Sequence, residues 1–466
     1  MQRFKILASL LALVLLVPAG AALAVDTGSA NFTTYVSIGD SLTAGYFSGS
    51  LIQTSQKLSY PAQIAQQAGV TDFQQPLVTE PGIPSVLQLK SIVSYPPVIT
   101  PAAGLGSPAN LTLPRFYNNM AVPGESVHSL LTVTTDNGGL HDLILRKKGL
   151  TQLQEALAQH PTFVTLWIGS NDVLGAVISG RVIEGVTITP LASFQQDFLA
   201  VVGAIQSSGA KMAIANIAHV STIPFANTVS RFIVNRQGQV VLIGGNPVPL
   251  IGPNGPLRDG DRVLLSASSE LALGNGVPLA LGGSGVPLSD AAVLSIEEAK
   301  TINDRVDAFN AVIKAAADAA GAAYVDTSAL QDTVATTGVE VGGIPFTAAY
   351  LTGGIFSYDG VHPTAIGYAF VANAFIAAIN GKFGGHIPPV NLARVIFGQS
   401  LEQEAMTAMP PMPLAGFGGG EQSADDAAGF TPFIFTEAAM RNLAWVFHLP
   451  DAAPTTPTGG RRHHPH

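Results

Sequence analysis

A serine and a histidine–aspartate pair that could together form an activated nucleophile lie in two short loops of the chain. Ser41 belongs to the sequence GDSL at 39–42, directly after an apolar run, and His362 belongs to DGVHP at 359–363. A serine hydroxyl becomes a nucleophile only beside a base, and the base needs a third group that orients it. The short separation of Asp359 and His362 allows the carboxylate to fix the tautomer of the imidazole. These residue types point to acyl transfer through a serine.

Each of the two loops also has an ordinary structural explanation. A Gly-Asp-Ser sequence is common in turns, and an aspartate that precedes a helix can cap that helix instead of orienting a histidine. Taken singly, either loop indicates no more than a turn.

Two further loops carry groups that could stabilise the negative charge formed during acyl transfer. NMAVPG at 119–124 ends in Gly124, which can bring a backbone N–H close to a reacting oxygen, and GSND at 169–172 offers the side-chain amide of Asn171. Both loops follow predicted strands, as do the loops of the serine and the histidine. We therefore expect all four on the side where a parallel sheet presents its ligand site.

The segments between these loops predict a parallel sheet covered by helices. Thr162–Gly169 is almost wholly apolar, which is typical of a strand buried on both faces. Strand and helix patterns alternate, and this indicates an α/β fold. The predicted strands are Thr33–Gly39, Phe116–Ala121, Thr162–Gly169, Lys211–Ile217 and Ala322–Asp326. The predicted helices are Tyr60–Ala68, Leu150–Gln159, Leu191–Ser207, Ser295–Ala320, Thr364–Asn380 and Thr436–His448.

Two regions interrupt the alternation of strands and helices. Residues 231–288 are rich in Gly and Pro, contain a predicted hairpin and follow the fourth strand. We expect this insertion to emerge at the ligand end of the sheet and to surround the site without building a separate core. Residues 399–466 form a C-terminal extension, in which 406–429 has low complexity and 451–466 is predicted to be disordered.

The four loops, in this chain order, resemble the four sequence blocks of the SGNH hydrolase superfamily, also called the GDSL esterase/lipase family. The resemblance spans about residues 33–381, within a predicted hydrolase domain at 25–398. It implies a flavodoxin-like α/β fold with a parallel sheet of about five strands in the order 2-1-3-4-5, flanked by helices. The strand-containing insertion would follow strand four.

By this resemblance, Ser41 is the nucleophile, His362 the general base and acid, and Asp359 the partner of His362. The oxyanion hole would consist of the backbone N–H groups of Ser41 and Gly124 and the side chain of Asn171. The family's mechanism requires no metal and no organic cofactor. The sequence contains no G-x-S-x-G elbow, and this disfavours ordinary α/β-hydrolase chemistry.

Several residues near the motif loops are candidates for lining a substrate pocket. They are Tyr46, Phe47, His219, Phe225, Phe346 and Phe356. The alternative for the aromatic residues is that they seal the insertion onto the sheet, and a rim or packing role is favoured for His219. Asp40 and Asp172 are interpreted as supports of their loops and not as catalytic carboxylates.

The N-terminus and the composition limit where the protein could act. Residues 1–24 combine Arg3 and Lys5 with a short apolar run and a small-residue site ending at Ala24, which is typical of a cleaved secretory signal peptide. The chain of 466 residues has no cysteine, which excludes disulfides, thiolate metal sites and a lipidated cysteine, and its net charge of −9 disfavours nucleic acid. We expect a bacterial protein that is exported to the periplasm or medium, without a transmembrane segment after cleavage.

These observations predict a secreted serine esterase or lipase that acts on small-molecule or lipid esters. A Gly/Pro-rich apolar insertion beside the site favours lipidic or aryl esters over sugar esters. Two alternatives stay open. One is an O-acyl esterase or acyltransferase acting on envelope or exported polysaccharide with the same residues, and the other is a non-catalytic surface-binding module. The sequence defines neither the acyl chain length nor the oligomeric state.

Overall fold

The computed structural model of the protein describes residues 24–90, 98–146, 148–235, 238–398 and 434–446. The predicted signal peptide up to residue 23, the low-complexity segment 406–429 and the tail 451–466 lie outside the described residues.

The strands are β1 (Tyr35–Gly39), β2 (Leu87–Leu89), β3 (Val98–Pro101), β4 (Phe163–Trp167), β5 (Lys211–Ala215), β6 (Leu242–Ile243), β7 (Asn246–Pro247), β8 (Ile251–Gly252), β9 (Gly255–Pro256), β10 (Arg262–Val263), β11 (Val293–Leu294), β12 (Ala323–Val325), β13 (Val339–Val341), β14 (Ile344–Phe346) and β15 (Ile434–Phe435).

The α-helices match most of the predicted ones to within a few residues. They are α1 (Ser41–Ala44), α2 (Gln53–Gln56), α3 (Tyr60–Gln67), α4 (Val127–Thr132), α5 (Leu140–Leu145), α6 (Gln152–Leu157), α7 (Asn171–Ser179), α8 (Leu191–Ser207), α9 (Pro224–Asn227), α10 (Ser268–Ala272), α11 (Ile296–Ala319), α12 (Thr327–Thr336), α13 (Ala365–Phe383), α14 (Leu392–Gly398) and α15 (Glu437–Val446).

A four-stranded parallel sheet in the order β1-β4-β5-β12 forms the centre of the protein. Alternate side chains of a strand point to opposite faces, so that Val164 and Leu166 of β4 pack into one apolar cluster and Phe163 and Trp167 into another. Helices α8 and α11 cover the first face, and α3 and α13 cover the second. Both faces are buried, which explains why the sequence of β4 is apolar apart from Thr165. The prediction of a parallel α/β sheet flanked by helices is confirmed.

The second predicted strand, Phe116–Ala121, runs beside the outer edge of β1 without forming a continuous ladder. Ser37 of β1 forms a parallel bridge with Asn119 and accepts the N–H of Met120 at 3.0 Å. The side chain of Asn119 accepts the N–H of Ala121 at 3.2 Å, and such a local bond competes with strand pairing. If this segment is counted, the order 2-1-3-4-5 is kept, with the second position reduced to a bridge.

Residues of the insertion 231–288 form most of a separate small apolar cluster, so the expectation that the insertion builds no separate core is wrong. Its predicted hairpin is present as an antiparallel bridge between Val234 and Val240. The buried residues of the cluster are Ile233, Val241, Leu250, Leu257, Val263, Ala267, Leu271, Val277, Leu281, Leu288, Ala292 and Val293. Two-residue strands bury little surface individually, so these loops stabilise one another by packing around a shared centre. Leu264 and Leu265 belong instead to the apolar cluster on the first face of the central sheet.

The described part of the C-terminal extension packs against the long connection between β1 and β4. Strand β15 pairs in parallel with β3, and the side chain of Asn442 in α15 donates a hydrogen bond to the carbonyl of Ser85 at 3.1 Å. Ala439 of the same helix is fully buried. This part of the extension therefore belongs to the folded body of the protein.

Helix α13 is long and apolar enough to cross a membrane by length and composition alone. Within the described chain, 61% of its most apolar window is buried, and the helix packs against α3 and β12. A central helix of a globular core meets the same criterion, and these contacts place α13 in that position.

Candidate active site

Gly39 ends β1 where the backbone of the next turn passes close to β4. A Cβ atom at Gly39 would lie 2.3 Å from the carbonyl oxygen of Trp167, so no other residue fits without movement of the backbone. Asp40 then caps α1, and its Oδ1 accepts the N–H of Leu42 at 2.9 Å. These two constraints make Ser41 the first residue of α1, where a helix N–H has no intrahelical acceptor.

Ser41, His362 and Asp359 form one hydrogen-bonded line. Ser41 Oγ lies 2.8 Å from His362 Nε2, and His362 Nδ1 lies 2.8 Å from Asp359 Oδ2. All three residues are buried. The structure thus brings together the three residues that the sequence assigned to nucleophile, base and orienting carboxylate.

The carboxylate of Asp359 is held as an anion by its own loop and by a distant turn. Its Oδ1 accepts the N–H groups of Val361 and His362 at 2.9 and 2.8 Å, and its Oδ2 accepts the N–H of Gly49 at 2.7 Å. Burial opposes the charge, but the contact with His362 and these backbone bonds outweigh it and hold the pKa of Asp359 below its ordinary value. A carboxylate in this state orients the imidazole without taking its proton.

Two of the three predicted oxyanion donors, Gly124 and Asn171, lie on loops that are hydrogen-bonded to each other. Gly124 has a φ angle of +84°, a conformation that favours glycine. Asn171 begins α7, and its Nδ2 donates one hydrogen to the carbonyl of Glu125 at 2.9 Å. The amide carries a second hydrogen that can serve a reacting oxygen, and both Asn171 and Ser41 line one pocket.

Asp40 and Asp172 are buried carboxylates that hold the same loops. Burial raises the pKa of Asp40, next to Ser41, to about 7 and that of Asp172 to about 6. Asp172 accepts the N–H of Val127 at 3.0 Å and the hydroxyl of Thr189 at 2.8 Å. Their contacts are those expected of loop supports.

Sequence reasoning missed a buried ion pair directly after Gly124. Glu125 Oε2 lies 2.6 Å from His141 Nε2, and His141 Nδ1 lies 3.3 Å from Asp136 Oδ2. Burial disfavours a charged imidazole, but the contacts with the carboxylates of Asp136 and Glu125 outweigh it and raise the pKa of His141 to about 9. His141 is therefore a cation at neutral pH. Its contact with Glu125 depends on tertiary packing, so no spacing in the sequence signals it.

Ser41, Asn171 and His362 line a pocket whose other walls are mainly apolar. The wall comes from α7, the segment after β5, α12, the loop before α13 and α13 itself. None of its lining residues belongs to the described parts of the insertion 231–288. The apolar lining residues are Leu42, Trp167, Leu174, Ala218, Val220, Ile223, Leu330, Val334, Ile355, Phe356, Val361, Pro363, Phe370 and Val371.

Of the residues predicted to line a pocket, the structure places Phe356 in this wall. Tyr46 is fully buried, and its ring packs against the imidazole of His362 with centroids 4.8 Å apart. Phe225 is also fully buried, and its N–H donates to the carbonyl of Gly360 at 2.9 Å. These two aromatic residues contact the loop of the histidine from outside the pocket.

The other predicted pocket residues also lie outside the wall. Phe346 packs edge-on against Phe370, with ring centroids 6.2 Å apart, and so supports a wall residue. His219 Nε2 lies 3.0 Å from Asp307 Oδ1, which agrees with the packing interpretation. Phe47 is half-buried in a tight turn.

Comparison with known proteins gives one match at the level of sequence families. The family model of the GDSL-like lipase/acylhydrolases matches residues 35–375, which include all four motif loops. No curated protein matches the sequence.

Solved structures similar to this chain include three named as esterases or as TesA. A catalytic mutant of Axe2, an acetylxylan esterase from Geobacillus stearothermophilus, shares 14% identity over 74% of this chain and 93% of its own, with a TM-score of 0.33. TesA shares 12% identity over 75% and 98% of the two chains, with a TM-score of 0.28. The psychrotrophic esterase EstA from Pseudoalteromonas sp. shares 12% over 76% and 100%, with a TM-score of 0.31.

The charge state of His141 predicts how the stability of the protein depends on pH. Its pKa rises on folding from 6.5 to about 9, so its contribution to the free energy of unfolding is complete below pH 6.5 and is lost as pH rises through about 9. We expect the free energy from urea unfolding to fall between these pH values. In His141→Gln the fall should be much smaller, and an unchanged pH dependence in this variant would contradict the assignment.

Proposed function

The chain belongs to the GDSL-like lipase/acylhydrolase family and is a carboxylic ester hydrolase, and we propose that it cleaves esters of apolar acyl or aryl groups through an acyl-enzyme on Ser41. The observation that carries this proposal is the hydrogen-bonded line from Asp359 through His362 to Ser41, which ends in a mainly apolar pocket. Such a line supplies the base and the orienting group that a serine nucleophile requires.

In the first step, Ser41 Oγ attacks the ester carbonyl carbon while His362 Nε2 takes the hydroxyl proton. The imidazolium that forms is stabilised by Asp359, which accepts from Nδ1 throughout. The carbonyl oxygen becomes an oxyanion that the N–H groups of Ser41 and Gly124 and the amide of Asn171 would stabilise. Collapse of this intermediate breaks the bond to the leaving oxygen, which takes the proton from His362 and departs as the alcohol.

The second step repeats the first with water in place of the hydroxyl. His362 accepts a proton from a water molecule, whose oxygen attacks the acyl-enzyme carbonyl. Collapse of the second intermediate returns the proton to Ser41 Oγ and releases the carboxylic acid. No group outside the chain is needed to balance the protons in either step.

The composition of the pocket supports an apolar substrate. Leu330, Val334, Phe370 and Val371 offer carbon surface from two helices, and apolar surface of this kind gains free energy when it covers an acyl chain. This wall takes the place of the insertion as the argument for lipidic or aryl esters, because the described insertion residues do not reach the pocket.

We extend the proposal to the cellular location of the enzyme. The pattern of residues 1–24 supports export, with cleavage after Ala24, to the periplasm or medium of a bacterium.

Ser41→Ala should abolish turnover of p-nitrophenyl acyl esters and labelling by a fluorophosphonate, because the variant lacks the attacking oxygen. Peptide mapping of the labelled wild type should identify Ser41 as the modified residue. The thermal unfolding of the variant serves as the control for folding. Equal turnover in wild type and variant, or a label on another residue, would contradict the mechanism, and an unlabelled, inactive wild type would favour a non-catalytic binding module.

Leu330→Trp should shorten the acyl chain that the pocket accepts. Leu330 lines the pocket from α12, so an indole there should lower kcat/KM for dodecanoyl esters about tenfold or more while acetyl esters change little. Ala329→Trp, on the exposed side of the same helix, is the matched control and should leave the series unchanged. Wild-type activity confined to acetyl esters would instead favour a polysaccharide O-acyl esterase.

Expression of the full chain in a bacterial host should yield protein outside the cytoplasm that begins at Val25. N-terminal sequencing of the exported protein measures this directly. The variant Ala24→Arg should keep its leader, because signal peptidase requires a small residue before the cut. A wild-type protein that stays in the cytoplasm with its leader intact would contradict export.

A further inference from the structure

A buried pair, Glu125 and His141, lies beside the proposed oxyanion donors and transfers no proton in the proposed reaction. Glu125 follows Gly124 in the chain, and its carbonyl accepts the side-chain amide of Asn171 at 2.9 Å. Its carboxylate lies 2.6 Å from Nε2 of His141 in α5. Glu125 thus connects two of the three proposed oxyanion donors, Gly124 and Asn171, with a helix that contributes no residue to the pocket lining.

Hydrogen bonds fix the backbone on either side of Glu125, so the contact of its side chain with His141 is one of three restraints on this short segment. The N–H of Glu125 donates to the carbonyl of Val122 at 3.1 Å, and the N–H of Val127 donates to the carboxylate of Asp172 at 3.0 Å. Rotation of the Gly124–Glu125 peptide is therefore limited by these bonds and by the contact with His141. The N–H of Gly124 belongs to the preceding Pro123–Gly124 peptide. A shift at Glu125 would therefore redirect that N–H through the backbone dihedral angles of Gly124.

Charge gives the pair a second effect on the reaction. Glu125 and Asp172 lie close enough to Asp40 to add to the rise of its pKa that burial causes, and Asp40 adjoins Ser41. Because Asp40 adjoins Ser41, the negative charge of Glu125 would also act on an oxyanion formed there, and without compensation it would raise the energy of the transition state. His141 supplies the compensating positive charge in direct contact.

A second carboxylate, that of Asp136, also keeps His141 charged. Asp136 Oδ2 lies 3.3 Å from its Nδ1 and accepts its backbone N–H at 2.8 Å. The neighbouring Asp142 bonds to Thr135 and to the N–H of Gly138. His141 is 3% exposed, so water screens these interactions only weakly.

We propose that the buried Glu125–His141 pair is a positioning and charge-compensating device for the oxyanion hole. It holds the backbone after Gly124 in place and, through the carbonyl of Glu125, the amide of Asn171, and the charge of His141 offsets that of the Glu125 carboxylate. Both are positioning residues, because neither touches the reacting atoms. The inference rests on the proposed hydrolysis at Ser41.

The test compares His141→Gln, Glu125→Gln and the double variant, each assayed for kcat and KM with one p-nitrophenyl ester. His141→Gln keeps a hydrogen-bond donor but leaves the carboxylate uncompensated, so kcat should fall about ten- to a hundredfold, less than or comparable with the loss of one oxyanion donor. KM should stay within about twofold, since the neutral ground state does not sense the charge. In the double variant two neutral amides face each other, and kcat should return to within about threefold of wild type.

The matched control is His386→Gln, which removes an ion pair with Asp26 at a side chain that is 82% exposed. It should leave kcat and KM unchanged. Thermal unfolding of every variant separates folding from catalysis: a purely structural role would lower stability in His141→Gln and in the double variant alike and would give no recovery of kcat.

Two results would overturn the inference. One is a His141→Gln variant with wild-type kcat, and the other is a double variant no faster than His141→Gln. If His141→Gln is not recovered folded, the double variant is compared with Glu125→Gln. A kcat of the double variant at least a hundredfold lower overturns the inference, and similar kcat values of the two variants support it. A wild type that neither turns over esters nor labels at Ser41 would refute the proposed function itself, which is a distinct outcome.

Discussion

A carboxylate without access to water is the constraint around which the histidine side of the site is arranged. Asp359 is fully buried, and an unpaired charge there would cost several kcal/mol. The chain meets this demand with the N–H groups of the 359–362 loop and with that of Gly49, which is 310 residues away in sequence. Ser48 adds to the junction by donating its N–H to the hydroxyl of Ser357 at 2.9 Å. The turn after α1 and the histidine loop are therefore joined by the same charge that orients the imidazole, and Ser41 lies just before that turn.

The histidine loop is also held from its outer side, and this explains the position of the insertion. A Cβ at Gly360 would lie 2.7 Å from Leu265 Cδ1 and 3.1 Å from the backbone nitrogen of Phe225. Gly360 has a φ angle of +70°, so both its conformation and its surroundings require glycine. The insertion thus contacts the histidine loop through Leu265, while the buried residues of its own cluster pack against one another. It supports the histidine loop from outside the pocket, whose wall comes from α7, the segment after β5, α12, the loop before α13 and α13 itself.

What the sequence predicted and what it did not can be separated by the range of the interactions involved. Strand β4 and helix α8 follow from local apolar patterns, and Ser41, Asp359 and His362 follow from short motifs. The pocket wall did not follow, because α13 is apolar on nearly every side, and only packing decides that Phe370 lines the pocket. Proximity in the chain suggested aromatic residues such as Phe225, which contact the loop from behind. The bridge that replaces the second strand depends on a side-chain bond that competes with the ladder, and residue types alone do not resolve that competition.

The two acid–histidine pairs of this protein differ in what faces the second ring nitrogen. In His362 one nitrogen meets a carboxylate and the other meets a hydroxyl at 2.8 Å, so the ring can take a proton and return it. In His141 both nitrogens contact carboxylates, those of Glu125 and Asp136, so the ring stays protonated near neutral pH. In the proposed mechanism the same residue types would give a proton carrier at Ser41 and a fixed charge behind the proposed oxyanion donors. These two states suit different demands of acyl transfer, since a base must change its charge during the reaction, whereas the surroundings of an oxyanion must already be in place before it forms.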